Sequence, residues 1–271
     1  MGLSAQRRDL VEAARVLSRL GLVTAYGHVS VRAGSSMLIT PAADLATVTG
    51  SSVVDVPLDL LPDKPPGVLP DRPPDVPPDR TLKAPADPPL PGPGLPGGPG
   101  LPAGAPAEAW AHLALYRRRP DAHAIARAQP PGAFAAAAAV TALPILHGQA
   151  AWLGESIPVH DSAHLLRSTD LAACAAASLP AGEALLLRGN GALTLGRTPG
   201  LAVARIWLLS AACDASLSAL AAGTVKPLTA AEIASWRAVT DDLLPRLWQH
   251  LRRRAAGEPP DAGELRDSSP A

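Results

Sequence analysis

The residues best equipped for chemistry sit inside otherwise apolar stretches. Arg127 and Gln129 close the apolar run that begins at Ala122, and Asn190 stands between Gly189 and Gly191. A guanidinium is a permanent cation with five N–H donors and no lone pair, while an amide both donates and accepts. Glu108 and His112 are four positions apart, which puts both on one face of a helix. A carboxylate and an imidazole so placed can move protons. They can also share a metal ion, although a zinc site needs at least one more ligand. Gly27, His28 and Ser30 make another polar group, in Ala25–Arg32 (AYGHVSVR). His28 reads equally as an acid/base or carboxylate contact and as a hydrogen-bonded structural histidine. His147 and His160 are isolated, and Asp161 beside His160 suggests a triad with some serine. The chain has no G-x-S-x-G elbow, which argues against serine-hydrolase chemistry. The glycines of residues 92–104 lack the strand-and-helix context of a phosphate loop.

The elements that must hold these groups follow from periodicity and punctuation. Leu10, Ala13, Leu17 and Leu20 form one stripe of an amphipathic helix over 3–20, with Gly21 as its stop signal. Residues 24–40 alternate and are split by Ala33-Gly34-Ser35-Ser36, which predicts a β-hairpin, and 52–58 predicts a third strand. A helix is expected over 108–118, a short strand over 122–128, a helix end over 135–140 and a small strand over 157–160. A helix over 165–179 comes next, followed by strands 184–187 and 192–195 around the turn Gly189-Asn190-Gly191. A long alanine-rich helix spans 198–222. Thr229 with Glu232 predicts a capping box for a last helix. That helix carries Ile233, Trp236, Leu243, Leu247 and Leu251 on one face and a bend at Pro245. The expected class is α/β, with a mainly antiparallel central sheet flanked by helices.

Two runs carry a family resemblance. Arg117–Ala135 (RRRPDAHAIARAQPPGAFA) and Ala184–Gly196 (ALLLRGNGALTLG) are similar to two stretches of the class II aldolase/adducin family. The first reads RPD-x-x-AVVHTHPP in family enzymes and the second LLLRNHG-x-x-x-x-G. The resemblance covers most of 3–56 and 107–250 and implies a three-layer fold. It also implies a zinc site of three histidines, at the places where this chain has Arg127, Gln129 and Asn190. By the same resemblance, Glu108, nineteen positions before Arg127 and followed by His112-Leu113-Ala114-Leu115-Tyr116, matches the family's general acid/base. The loop with Gly27, His28, Ser30 and Arg32 resembles the family's G-N-x-S-x-R loop, in its GH-x-S-x-R variant, which helps bind the phosphate in sugar-phosphate aldolases. The phosphate-binding groups are depleted: Ala42-Ala43 follows Ile39-Thr40-Pro41, and Pro106-Ala107 stands where sugar-phosphate aldolases have a Ser-Ser pair. The resemblance further implies a tetramer with sites between subunits, in which Trp236, Trp248 and His250 of the last helix reach a neighbour's pocket or the subunit contact.

Three functional readings remain open. In the first, guanidinium and amides take over from zinc as a receptor for a carboxylate or an enolate oxygen. The protein is then a carbon–carbon lyase, by aldol cleavage or decarboxylation, of a small non-phosphorylated hydroxy- or oxo-carboxylate. Glu108, Arg127 and His112 are its catalytic candidates, and Gly27, His28, Ser30, Gln129, Asn190 and Gly191 bind substrate. No cofactor is expected. Against this, Arg127 can point outward or pair with an acid such as Asp121 or Glu108. In the second reading the chain is a non-catalytic, adducin-like scaffold. In the third it is an ordinary divalent-metal aldolase with ligands from unexpected positions.

Bulk properties bound the rest. The 271 residues suffice for one substantial domain, expected over 1–255, and balanced charge (24 basic, 24 acidic) gives no support to nucleic-acid or membrane-surface binding. Residues 57–106 hold 18 of the 31 prolines, with the loose repeat LPDKPP, LPDRPP. Such a segment cannot sustain a helix or a central strand and reads as an extended insertion, or as a PxxP ligand for a partner. A disordered tail is expected over 256–271. Cys174 and Cys213 sit in apolar stretches as small hydrophobes. Arg7, Arg8 and Asp9 interrupt any N-terminal signal, no membrane span is expected, and the location implied is cytoplasmic.

Overall fold

The computed structural model describes residues 2–61 and 100–257, so most of the expected proline-rich insertion and nearly all of the tail lie outside the described residues. Helix α1 (Leu3–Arg19) buries the stripe Leu10, Ala13, Ala14, Val16 and Leu17, and the chain turns at Gly21 with φ +70°. The hairpin follows as β1 (His28–Ala33) and β2 (Ser36–Ile39), with β3 (Val54–Pro57) beside it. Pro57 is tolerated there because β3 is an edge strand. Then come α2 (Ala109–Arg118), β4 (Ala124–Ala128), α3 (Pro131–Ala139), β5 (Ala142–Leu143), β6 (Ile157–His160), α4 (Thr169–Ala177), β7 (Ala184–Leu187) and β8 (Gly191–Gly196). The chain closes with α5 (Pro199–Ala222), α6 (Ala230–Ala238) and α7 (Thr240–Ala256).

Eight strands form one sheet in the order β3-β2-β1-β4-β8-β7-β6-β5. Every pairing is antiparallel except β6 with β7. Because successive side chains on a strand point to opposite faces, each strand feeds two cores. Val29, Val31, Ala124, Ala126, Ala128 and Ala192 pack with α1, α3, α5 and α7. Ile125, Leu185, Leu187, Leu193 and Leu195 pack with α2 and α4 on the other side. The alternation therefore sends His28, Ser30 and Arg127 toward α2. Helix α5 is long and apolar enough by composition to cross a membrane, which the sequence reading did not expect. Eleven of its residues are buried against the sheet and its neighbouring helices, so its apolarity is that of a core helix.

Several boundaries differ from expectation for identifiable reasons. The single last helix expected is two, parted at Val239, and Pro245 lies inside the second of them, α7. Pro245 is the sixth residue of α7, past the four amides that need no intrahelical acceptor, so α7 forgoes one i→i−4 bond there. Helix α4 begins at Thr169, not at 165, because the Ser168 hydroxyl accepts from the Leu171 amide as its N-cap. The helix end expected over 135–140 is the close of α3, which opens with Pro131 in its first turn. The last helix runs one residue into the stretch expected as tail, to Ala256, and Gly257, at φ +75°, ends it. The capping box at Thr229 and Glu232 forms as expected.

Candidate functional site

Ten polar or charged side chains are buried among the described residues, and seven of them are His28, Ser30, Glu108, His112, Arg127, Gln129 and Asn190. The site expected from sequence is thus also the polar interior of the α2 side of the sheet. Register brings it together. His28 on β1 lies opposite Arg127 on β4, and Arg127 lies opposite Leu193 on β8. Glu108 occupies the N-cap position of α2 without a side-chain capping bond, with His112 one turn further along the same face. Asn190 occupies the β7–β8 turn, which crosses the end of β4 so closely that a Cβ on Gly191 would come within 2.2 Å of the Ala128 carbonyl oxygen. Gly191 also has φ +82°, so glycine is required there on both counts.

Arg127 is the keystone. Its Nη1 lies 3.0 Å from Glu108 Oε2 and donates to the Tyr26 carbonyl at 3.1 Å. Its Nη2 donates to the Asn190 carbonyl at 3.3 Å and to Asn190 Oδ1. Asn190 Nδ2 donates in turn to Glu108 Oε1 at 3.4 Å. The guanidinium is 2 % exposed. It links the segment before β1, the start of α2 and the β7–β8 turn. Of the alternatives for Arg127, pairing with Glu108 is therefore the one the fold adopts, whereas Asp121 pairs with Arg119.

Part of the cluster is not satisfied internally. His28 Nδ1, His112 Nε2, Arg127 Nε and both amide atoms of Gln129 are buried without any hydrogen-bond partner. Each such atom costs about 1–3 kcal/mol if left unpaired. Five of them are concentrated in this one cluster. Burial, then the positive charge of Arg127, push the His112 imidazole down to about 3. His28 is likewise held well below its usual range by burial, Arg127 and His112 in that order. Both imidazoles are neutral near pH 7. The two rings stand edge to face with centroids 6.1 Å apart.

Two contributors were not read from the sequence. Arg167, between β6 and α4, adds its positive charge to the surroundings of Arg127. It sits in an irregular stretch with no motif to mark it. Tyr116 joins the cluster through Ser30 at 2.9 Å, and its spacing of four from His112 was the available signal. The other candidates lie elsewhere. His147 accepts from the Ala150 amide at 3.3 Å, and His160 bonds Ser178 at 2.9 Å. Asp161 turns to Arg188, so no triad forms around His160. Within this chain Trp248 packs on Gly200 and Trp236 on Gly148. Two cavities, of about 520 and 340 Å³, open between α1 and α7 and beside Arg205 and Asp241, and neither is lined by this cluster.

The zinc implied by the resemblance does not fit this donor set. Arg127 has no lone pair to offer, and amide oxygens such as those of Gln129 and Asn190 suit harder ions than zinc. The Asn190 oxygen and the Glu108 carboxylate are already taken by the guanidinium. No group of three or more His, Cys, Asp or Glu is arranged to hold a metal among the described residues.

Comparison with known proteins gives a consistent placement. The family model described as Class II Aldolase and Adducin N-terminal domain matches residues 8–217. The fold is shared with an aldolase II superfamily protein from Pseudomonas syringae, at 20% identity and TM-score 0.66 over 94% of this chain and 93% of that one. It is also shared with L-fuculose-1-phosphate aldolase from Thermus thermophilus, at 22% identity and TM-score 0.59 over 82% and 98%. YgbL from Escherichia coli, named as a candidate aldolase/epimerase/decarboxylase, aligns at 18% identity and TM-score 0.64 over 87% and 99%. A search of curated protein sequences finds no match.

Proposed function

Matched over residues 8–217, the chain belongs to the class II aldolase and adducin N-terminal domain family, and from that premise we propose that it is a carbon–carbon lyase. Its substrate is a small, non-phosphorylated hydroxy- or oxo-carboxylate, which it cleaves by aldol scission or decarboxylation. The observation that carries this reading is the set of five unpartnered polar atoms on His28, His112, Arg127 and Gln129. Both reactions leave an electron pair on carbon that delocalises onto an enolate oxygen, and fixed N–H donors aimed at that oxygen stabilise it. Arg127 Nε and the Gln129 amide are the donors still free to do so. Glu108, held at 3.0 Å by Arg127, is the group placed to move the proton. The scarcity of hydroxyl donors at Ala42, Ala43, Pro106 and Ala107 supports a substrate without phosphate.

The experiment is a panel of small hydroxy and oxo acids incubated with the purified chain, reading released carbonyl product and carbon dioxide. Turnover by the parent and a loss of ~10²–10³ in Gln129→Ala support the reading. Equal rates in both proteins on an identified substrate sink it. A second reading, an adducin-like scaffold without catalysis, is favoured by one observation: Arg127 and Glu108 already neutralise each other. It predicts no turnover and an unchanged melting temperature with every acid in the panel.

A further inference from the structure

A line of hydrogen bonds enters the site from behind. His112 Nδ1 lies 2.7 Å from Ser30 Oγ, which lies 2.9 Å from the Tyr116 hydroxyl, and Tyr116 donates to the His123 carbonyl over a long 3.5 Å. All three side chains are buried. Burial holds Tyr116 above its usual range, so it keeps its proton. A carbonyl can only accept. A line ending on His123 therefore spends the Tyr116 proton there, the Ser30 proton on Tyr116, and a proton from His112 Nδ1 on Ser30. Every proton is used. Run in the opposite sense, the line makes one bond fewer and leaves a buried N–H at Nε2 without an acceptor. The first sense leaves Nε2 with a lone pair, unpartnered and near the cationic Arg127. A lone pair beside a guanidinium is the better electrostatic match.

We infer that His112 Nε2 accepts a hydrogen bond from a hydroxyl of the bound substrate, and that Ser30 and Tyr116 are positioning residues that fix the imidazole tautomer for it. The inference rests on reading the cluster as a carboxylate site and narrows its ligand to a hydroxy acid. His112 is held too acidic to act as a base near neutral pH, so its part is recognition. A ligand without the hydroxyl leaves Nε2 unpaired, which weakens binding on the order of ten- to a hundredfold.

The test uses the full chain labelled with nitrogen-15, with His112→Gln to assign the signal, and glycolate and acetate as probes. The expected ligand-free spectrum near neutral pH shows a protonated Nδ1 and a pyridine-type Nε2. Glycolate should move the Nε2 signal while acetate does not. In Ser30→Ala and Tyr116→Phe the tautomers should mix and the glycolate preference shrink, with circular dichroism unchanged. A protonated Nε2 in the parent overturns the inference. If both acids move the signal alike, the hydroxyl contact is wrong while the carboxylate site stands. If neither acid binds, both fall together.

Discussion

Acidification should destabilise this fold by way of His112, by an amount the burial of the ring sets. In the unfolded chain an imidazole takes up its proton near pH 6.5. In the folded chain His112 does so only near pH 3, because burial and then Arg127 disfavour the charged form. Between those values the unfolded state binds more protons than the folded one, so stability rises with pH across that window and falls as acid is added. The slope approaches about 1.4 kcal/mol per pH unit, and the loss between pH 7 and pH 5 comes to about 2 kcal/mol from this ring. His28 shifts in the same direction and adds to it. Urea unfolding of the parent and of His112→Gln at pH 7, 6 and 5 isolates the His112 contribution, His28 being held down chiefly by its own burial and by Arg127 in both proteins. The parent should lose about 2 kcal/mol more than the variant over that range. Parallel pH profiles would mean that His112 is not held neutral in the fold, and the tautomer argument would go with it.

Removing the keystone should cost more than removing its whole network. Arg127→Leu leaves the Glu108 charge buried without its cation and is expected to destabilise by about 3–5 kcal/mol in denaturant titration. The double variant Arg127→Leu with Glu108→Leu should recover part of that loss. Gly191→Ala forces a side chain to within 2.2 Å of the Ala128 carbonyl at positive φ. It should lower the melting temperature and weaken binding of small acids together, because Asn190 moves with the turn. Chain purified without chelator is expected to carry far less than stoichiometric zinc by elemental analysis, and one tightly held zinc per chain would overturn the donor-set argument.

Much of the fold was legible in the sequence because local rules govern it. The stripe Leu10, Ala13 and Leu17 reads as one helix face, and residues 24–40 alternate as a hairpin must. Thr229 and Glu232 announce their helix start through a bond between neighbours in sequence. The elements that went astray depend on competing ends. Ser168 outbid the apolar residues before it for the start of α4, and the single last helix expected, with a bend at Pro245, is instead parted at Val239.

The identities of the site residues also came from sequence, since an arginine and two amides stand at three positions that the family resemblance ties together. What the sequence left open was where the charge of Arg127 goes. Guanidinium toward solvent, toward Asp121 or toward Glu108 are equivalent in one dimension. Packing chose Glu108, because burying a cation at 2 % exposure requires an acid within reach, and α2 delivers one at 3.0 Å. The line from His112 through Ser30 to Tyr116 was likewise decided in three dimensions. It joins residues 82 and 86 positions apart, and only the docking of α2 on β1 sets those hydroxyls against the ring.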